Sequence, residues 1–169
     1  MHVMSEGVPA ARSGARLPSA RELEVWRSFL RAHAALSRRL EADLIAAHDM
    51  PLATYDVLVQ LVEAPQRRLR MTELAQLVLL SRSGLTRLVD RLEREGLVRR
   101  EPCDTDARGM FTVLTDAGYA RLKEASPTHL RGVAEYALDR LDEEDLEALA
   151  SALARLLGEQ AELDISRAG

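Results

Sequence analysis

Apolar and small residues recur at threes and fours from Ser19 to His48. Leu23, Trp26, Leu30, Ala34, Ser37, Leu40 and Leu44 predict one long helix. Pro51 stands where a second helix can begin, because the amide that proline lacks is one a first turn leaves unused. Tyr55, Leu58, Val59 and Val62 give that helix its apolar face, and Ala64-Pro65 stops it. Thr72 is the expected N-cap of a short helix with Leu74, Leu77 and Val78 inward. Ser81 caps the next helix, in which Leu85, Leu88, Val89 and Leu92 follow the i, i+3, i+4, i+7 rule and Gly96 supplies the stop. The period then changes. Leu97–Arg100 and Phe111–Leu114 read as two short strands around the polar, turn-forming loop Pro102–Gly109. Thr115 caps a helix expected from Asp116 to about Leu141, with Pro127 kinking or breaking it. The last helix opens on Asp142-Glu143-Glu144-Asp145, acids at the positive end of its dipole. Leu146, Leu149, Leu153, Leu156 and Leu157 form its apolar stripe. Residues 1–18, with Gly7, Pro9, Gly14 and Pro18, are expected to be a flexible tail.

Two helices in tandem followed by a charged hairpin make a winged helix-turn-helix pattern. Composition agrees with it. The 169 residues are 47% hydrophobic and 30% charged, which suits one folded domain. Aromatics make up only 4%, so the core must be aliphatic, which favours helices. The lone Cys103 excludes a disulfide framework and any zinc site built on paired cysteines. The four histidines (2, 33, 48 and 129) and Cys103 have no metal-ligand spacing, and neither metal nor cofactor is expected. No apolar run approaches the ~18 residues of a membrane helix, so no membrane partner and a soluble, cytoplasmic protein are expected. No nucleophile elbow, phosphate loop or carboxylate pair gives an enzyme reading anything to stand on.

Net charge is -4 with a pI near 5.6, which taken whole argues against a polyanionic partner. Its distribution reverses that inference. Residues 66–108 hold ten arginines against seven acids, or +3, and the remainder carries -7. Residues 135–164 alone have ten acids against Arg140 and Arg155. A basic segment in an acidic body suggests a face made for a polyanion.

The helix capped by Ser81 is the candidate reading element, since a helix of this kind puts its N-terminal side chains on base edges in the major groove. Arg82, Ser83, Thr86 and Arg87 fall on its first two outward turns. Arginine can fork to guanine O6 and N7, and Ser or Thr can bond bases or phosphates. The Thr72 hydroxyl suits a phosphate oxygen. Arg91 and Arg94 lie deeper and could equally pair with Asp90 or Glu95. In the hairpin, Arg108 is the candidate minor-groove probe, because narrow grooves concentrate negative potential. Asp106 would fix the tip by accepting hydrogen bonds from Arg108 or the loop backbone.

Leu92-Glu93, Gly96-Leu97-Val98, Arg99-Arg100, Asp106-Ala107-Arg108 and Leu114-Thr115-Asp116-Ala117-Gly118 follow one another in this order. The run resembles the recognition helix and wing of MarR-type (multiple antibiotic resistance regulator) transcription factors, and the likeness extends over roughly residues 20–160. Ala107 departs from it where the family often has a second wing arginine. The resemblance implies a homodimer whose two winged lobes spread over a palindromic operator in double-stranded DNA, with half-sites about 34 Å apart. The fold class is then mostly α with a small β-hairpin wing: a winged helix-turn-helix lobe plus a helical dimerisation body. Expected boundaries are a tail over 1–18, a dimerisation region over 19–50 and 116–165, and the DNA-binding lobe over 51–115. A lobe of this size is small for a stand-alone core, and the apolar stripes of the terminal helices need a partner.

The resemblance further implies a repressor released by a small, aromatic or anionic effector bound between body and lobe. By position, Trp26, Phe29, His33, Tyr55 and Asp56 would line that crevice; core or interface packing is the competing reading for the aromatic residues. Asp56 resembles an acid of urate-responsive members, whose extra N-terminal helix residues 1–18 do not repeat. Relatives that sense peroxides use a first-helix cysteine, which this chain lacks. Two alternatives stay open: a regulator without a ligand switch, and a winged helix used as a protein-interaction module.

Overall fold

The computed structural model describes residues 16–78, 80–103 and 106–158, with the backbone alone at 106–108. Most of the expected tail and the end of the acidic C-terminal segment therefore lie outside the described residues. The chain divides into two compact units, residues 1–35 and 36–169. The first holds the start of helix α1 (Ala20–His48). Ser19 and Glu22 form its capping box: the Glu22 amide donates to Ser19 Oγ (3.3 Å) and the Ser19 amide to Glu22 Oε2 (2.7 Å).

In the second unit α1 continues to its end at Asp49, whose φ is +48°. Helix α2 (Leu52–Glu63) follows directly after Pro51, where proline's fixed φ suits the first turn. A single turn, Pro65–Arg67, leads to a strand the periodicity did not announce, β1 (Arg68–Arg70). Helix α3 (Met71–Leu77) starts two residues earlier than expected. Thr72 is not its cap; Arg70 occupies that position, and its amide donates to Glu73 Oε2 (2.8 Å). The strand explains the shift, since β1 holds Arg70 extended and the helix starts where the strand stops.

Helix α4 (Arg82–Arg94) begins and ends as its sequence requires. Ser81 Oγ accepts from the Gly84 amide (3.1 Å), and Gly96 (φ +74°) closes the C-terminus with Leu97 N donating to Leu92 O (2.9 Å). Leu85, Leu88, Val89 and Leu92 are buried. They join Leu58 and Leu61 of α2 and Leu74 of α3 in one aliphatic core. Strands β2 (Val98–Cys103) and β3 (Asp106–Leu114) run longer than the two short runs expected, so most of the predicted loop is ladder. Once Val98 pairs with Leu114, backbone bonding carries the ladder outward through polar residues. All three strands are antiparallel in the order β1-β3-β2.

Helix α5 (Asp116–Tyr136) runs unbroken through Pro127, against the expectation, and ends one turn short of Leu141. Its start is pinned to the end of α4. Thr115 Oγ1 accepts from the Gly118 amide (3.0 Å) and lies 2.7 and 3.0 Å from the Gly96 and Leu97 carbonyl oxygens to which it donates. Gly118 packs so closely that a Cβ there would run into the Leu97 carbonyl oxygen. Helix α6 (Glu143–Leu157) is capped by Asp142 and has no buried residue. Leu149, Leu156 and Leu157 are exposed.

Gly118→Ala is therefore expected to lower stability by about 1–3 kcal/mol, as overpacking against backbone does. The check is the urea midpoint at unchanged denaturant slope; an unshifted midpoint would show that the joint between α4 and α5 can relax.

Candidate nucleic-acid interface

The interface is built on α4, whose two faces differ in kind. The inner face is the buried leucine and valine stripe; the outer face of the first two turns carries Arg82, Ser83, Thr86 and Arg87, all exposed. Among the described residues neither Arg82 nor Arg87 has an acidic partner, so both guanidiniums stand open to an incoming anion. Ser83 Oγ lies 3.3 Å from Ser81 Oγ, and Thr86 Oγ1 donates to the Arg82 carbonyl (3.0 Å), leaving its oxygen lone pairs and methyl group outward. Thr72, in the first turn of α3, is exposed. Side chains of Asp106 and Arg108 lie outside the described residues; their backbone belongs to β3 at the hairpin end.

Beyond the second turn the polar residues of α4 are occupied. Arg91 faces the protein: Nη2 donates to Thr54 Oγ1 of α2 (2.9 Å), and Nε lies 3.6 Å from the Glu95 carboxylate, buried and without a hydrogen bond. Thr54 is itself buried, so this bond gives a core hydroxyl its partner and ties α4 to α2. Arg94 Nε donates to the Asp90 carbonyl (3.3 Å).

The acids of α4 meet a residue that sequence reasoning placed only within a motif. Arg100 of β2 reaches back over the helix, with Nη1 donating to Glu93 Oε2 (2.5 Å) and Nη2 to Asp90 Oδ1 (2.5 Å). Its own amide donates to Glu93 Oε1 (3.1 Å). One arginine thus bridges both carboxylates, offsetting one of their two charges, and fixes the wing strand to the helix. The open cationic charge of the helix lies in its N-terminal turns. Strand alternation was the signal available: Val98 and Arg100 share the inward face of β2.

The residues expected to hold an effector divide between the two units. Trp26 and Phe29 stack on α1 (centroids 5.9 Å apart, planes 29°), 53% and 42% exposed, and His33 is exposed as well. Tyr55 is buried, with its ring on His129 of α5 (4.2 Å) and its hydroxyl 3.5 Å from Ser126 Oγ. Burial shifts both nearby titrations toward the neutral forms, the Asp56 carboxyl upward and the His129 imidazole downward. None of these residues lines the two described cavities. One, of about 360 Å³, lies between α1 and α5 beside Asp43 and Tyr136; the other, of about 220 Å³, lies at the end of α4 beside Arg91 and Arg121. Cys103 is buried at the hairpin end, with Arg70 Nη2 3.2 Å from its sulfur. Among the described residues no cluster of His, Cys, Asp or Glu could hold a metal ion.

Comparison with known proteins bears on this arrangement. A family model described as the MarR family matches residues 48–109, from the end of α1 into the second strand of the wing hairpin. An HTH-type transcriptional regulator of Bacillus cereus (strain ATCC 14579) is 31% identical over 113 residues, covering 67% of this chain and 74% of the relative. The HTH-type transcriptional repressor YetL of Bacillus subtilis (strain 168) is 33% identical over 90 residues, 53% of this chain and 54% of YetL. Among solved structures, that of Sco3205, a MarR family transcriptional regulator from Streptomyces coelicolor in complex with DNA, has a TM-score of 0.77 and 41% identity. It covers 86% of this chain and 91% of Sco3205.

The Arg100 clasp can be tested apart from any ligand. In a double-mutant cycle, Arg100→Gln and Glu93→Gln should couple by about 1 kcal/mol, the value left after solvent screening of a half-exposed charged pair. Additivity within about 0.3 kcal/mol would show that the two groups do not support each other.

Proposed function

This chain belongs to the MarR family of DNA-binding transcriptional regulators, and from that premise we propose that it is a homodimeric repressor that a small aromatic or anionic effector releases from a palindromic operator. The observation that carries the reading is the split of α4 into an open basic start and an internally compensated end. Arg82 and Arg87 read bases in the major groove, with guanine O6 and N7 as their natural acceptors. Ser83 and Thr86 bond bases or phosphates beside them, and Thr72 bonds a phosphate from the first helix of the pair. Arg91 serves the same surface from behind by holding the helix at its angle through Thr54. Arg108 enters the minor groove, and Asp106 orders the hairpin end around it.

Dimerisation has its support in α6. A helix of 15 residues in which only Leu146, Ala152 and Leu153 are even partly buried gains little from packing, and a helix that short is marginal in water by itself. A second copy covering Leu149, Leu156 and Leu157 supplies the missing burial. The exposed Trp26–Phe29 pair gives the effector a stacking surface, with exposed His33 one turn further along the same helix. Release then requires the effector to favour the lobe spacing that does not match DNA. Repression is the activity printed in the name of the similar YetL. A cytoplasmic location suits a DNA partner, and among the described residues no helix is long and apolar enough to cross a membrane.

Selection of binding sites from random DNA should return a palindrome. On the selected duplex, Arg82→Ala and Arg87→Ala should each cost about 1–3 kcal/mol and relax preference at one base position. Arg108→Ala should lower the slope of log affinity against log salt by about 1. Weak affinity for every duplex, insensitive to these changes, would overturn the DNA reading. A monomer in sedimentation at micromolar concentration would overturn the dimer. Screening small aromatic acids for thermal stabilisation coupled to DNA release tests the switch, and stabilisation without release would refute it.

A further inference from the structure

The two faces of the wing sheet have different business. Leu69, Thr112 and Arg100 form one cross-strand row facing the helices, and Leu69 and Thr112 are buried there. By alternation the neighbouring rows face the other way. One is Arg68–Val113–Arg99, the next Arg70–Phe111–Glu101. Three arginines and one acid thus share a face that the interface on α4 does not use. Arg67, at the end of the preceding turn, is the next guanidinium along the chain.

How these guanidiniums are held matters more than their number. Arg68 lies over the Phe111 ring at 4.7 Å and Arg70 over the same ring at 5.6 Å, while Arg67 lies over Tyr119 at 4.2 Å. A guanidinium stacked by its flat face keeps its N–H donors on the rim, where a phosphate can take them, and has already given up much of its rotamer freedom. The acids nearby compensate only in part. Glu101 receives Arg99 at 2.6 Å and lies 3.8 Å from Arg68; Asp116, fully exposed, lies 3.9 Å from Arg67. Glu101 is shared by Arg68 and Arg99, so this pair keeps a net positive charge in a protein whose net charge is -4.

We propose that this outer face, centred on Arg68 and Arg99, is a second polyanion surface that grips the DNA sugar-phosphate backbone alongside the wing. The proposal rests on the reading in which the hairpin end enters the minor groove. That groove is about 6 Å wide. A two-stranded ribbon with side chains is wider, so a hairpin entering by its end turns its broad faces to the phosphate walls. At ~3.3 Å per residue, the Arg70 row stands roughly 7 Å and the Arg68–Arg99 row roughly 13 Å behind Cys103, where the hairpin's described β2 strand stops. Arg68 and Arg99 flank β3 on either side, about 10 Å apart across the ladder, and so address separate phosphates. Contacts of this kind carry no base information; they add affinity, salt dependence and register.

The test uses the full chain on the selected duplex and on a scrambled duplex, with affinities measured by fluorescence anisotropy across a sodium chloride series. Arg68→Gln/Arg99→Gln should lower the salt slope by about 2, near 0.9 for each phosphate no longer neutralised, and leave the preference for selected over scrambled DNA within about twofold. Arg68→Lys/Arg99→Lys, which keeps the charge, should retain most of the slope. An unchanged slope in a double variant that melts as the parent does would overturn the proposal. The single Arg99→Gln, with an expected decrease of about 1, serves should the double variant fail to fold. Collapse of the selected-to-scrambled preference would also overturn it, since the face would then be reading bases. So would an unchanged slope accompanied by abolished binding to a poly-glutamate peptide, which would give the face a protein partner. If the parent itself shows no salt-dependent DNA binding, it is the DNA reading of the lobe that fails, and the two failures are told apart by that control.

Discussion

Everything the lobe presents outward depends on one arginine meeting two carboxylates. Asp90 and Glu93 sit on the third turn of α4, where their negative charge would repel a phosphate backbone approaching the same helix. Arg100 bridges both and offsets one of their two charges, and its amide adds a third bond from the backbone of β2 to Glu93. The same contact has two effects: it reduces the acid charge of the helix and ties the wing to it. A reading helix and a hairpin that address neighbouring grooves must keep a fixed separation, and a residue spanning helix and strand with three hydrogen bonds, two from its side chain and one from its amide, sets it. Arg91 completes the constraint from the other side by anchoring α4 to Thr54 of α2. The helix is therefore held fore and aft by its own C-terminal half, which frees its first two turns for contact.

What could be read in advance follows the range over which each interaction acts. Ser81, Gly96, Thr115 and Asp142 all cap or stop helices through bonds within a few residues, so their sequence positions announced them. The basic start of α4 was legible for the same reason. β1 was not, because Arg68-Leu69-Arg70 is too short to show alternation and exists only by pairing with Thr112 and its neighbours over 40 residues away. That missed strand moved the α3 cap from Thr72 to Arg70. Arg100 pairs with residues seven and ten positions earlier across a turn, a spacing no helical rule flags. Arg91, by contrast, has Glu95 at the expected i+4 distance but spends its strongest bond on Thr54, 37 residues back. The effector residues were chosen by position within a resemblance, and here the structure gives Tyr55 an ordinary packing role against His129.

Charge ties the parts together. A net charge of -4 describes the whole chain, but it is the sum of a basic lobe and an acidic remainder. α6 begins with three acids in its first turn and keeps Leu149, Leu156 and Leu157 exposed, so it is amphipathic in a way that suits a protein partner and repels DNA. The lobe has the opposite arrangement: its leucines are buried and its arginines face out. Swapping the two would leave the composition untouched and remove the function. Within the lobe the arginines divide again by what holds them. Arg100 and Arg91, tied to other elements of the lobe, are structural. Arg82 and Arg87, with no acidic partner among the described residues, keep their donors for an outside anion, and Arg67 and Arg68, over aromatic rings with a carboxylate 3.9 and 3.8 Å away, keep part of theirs. In a chain where nearly every base is arginine, identity alone cannot separate these roles, and the local partner does.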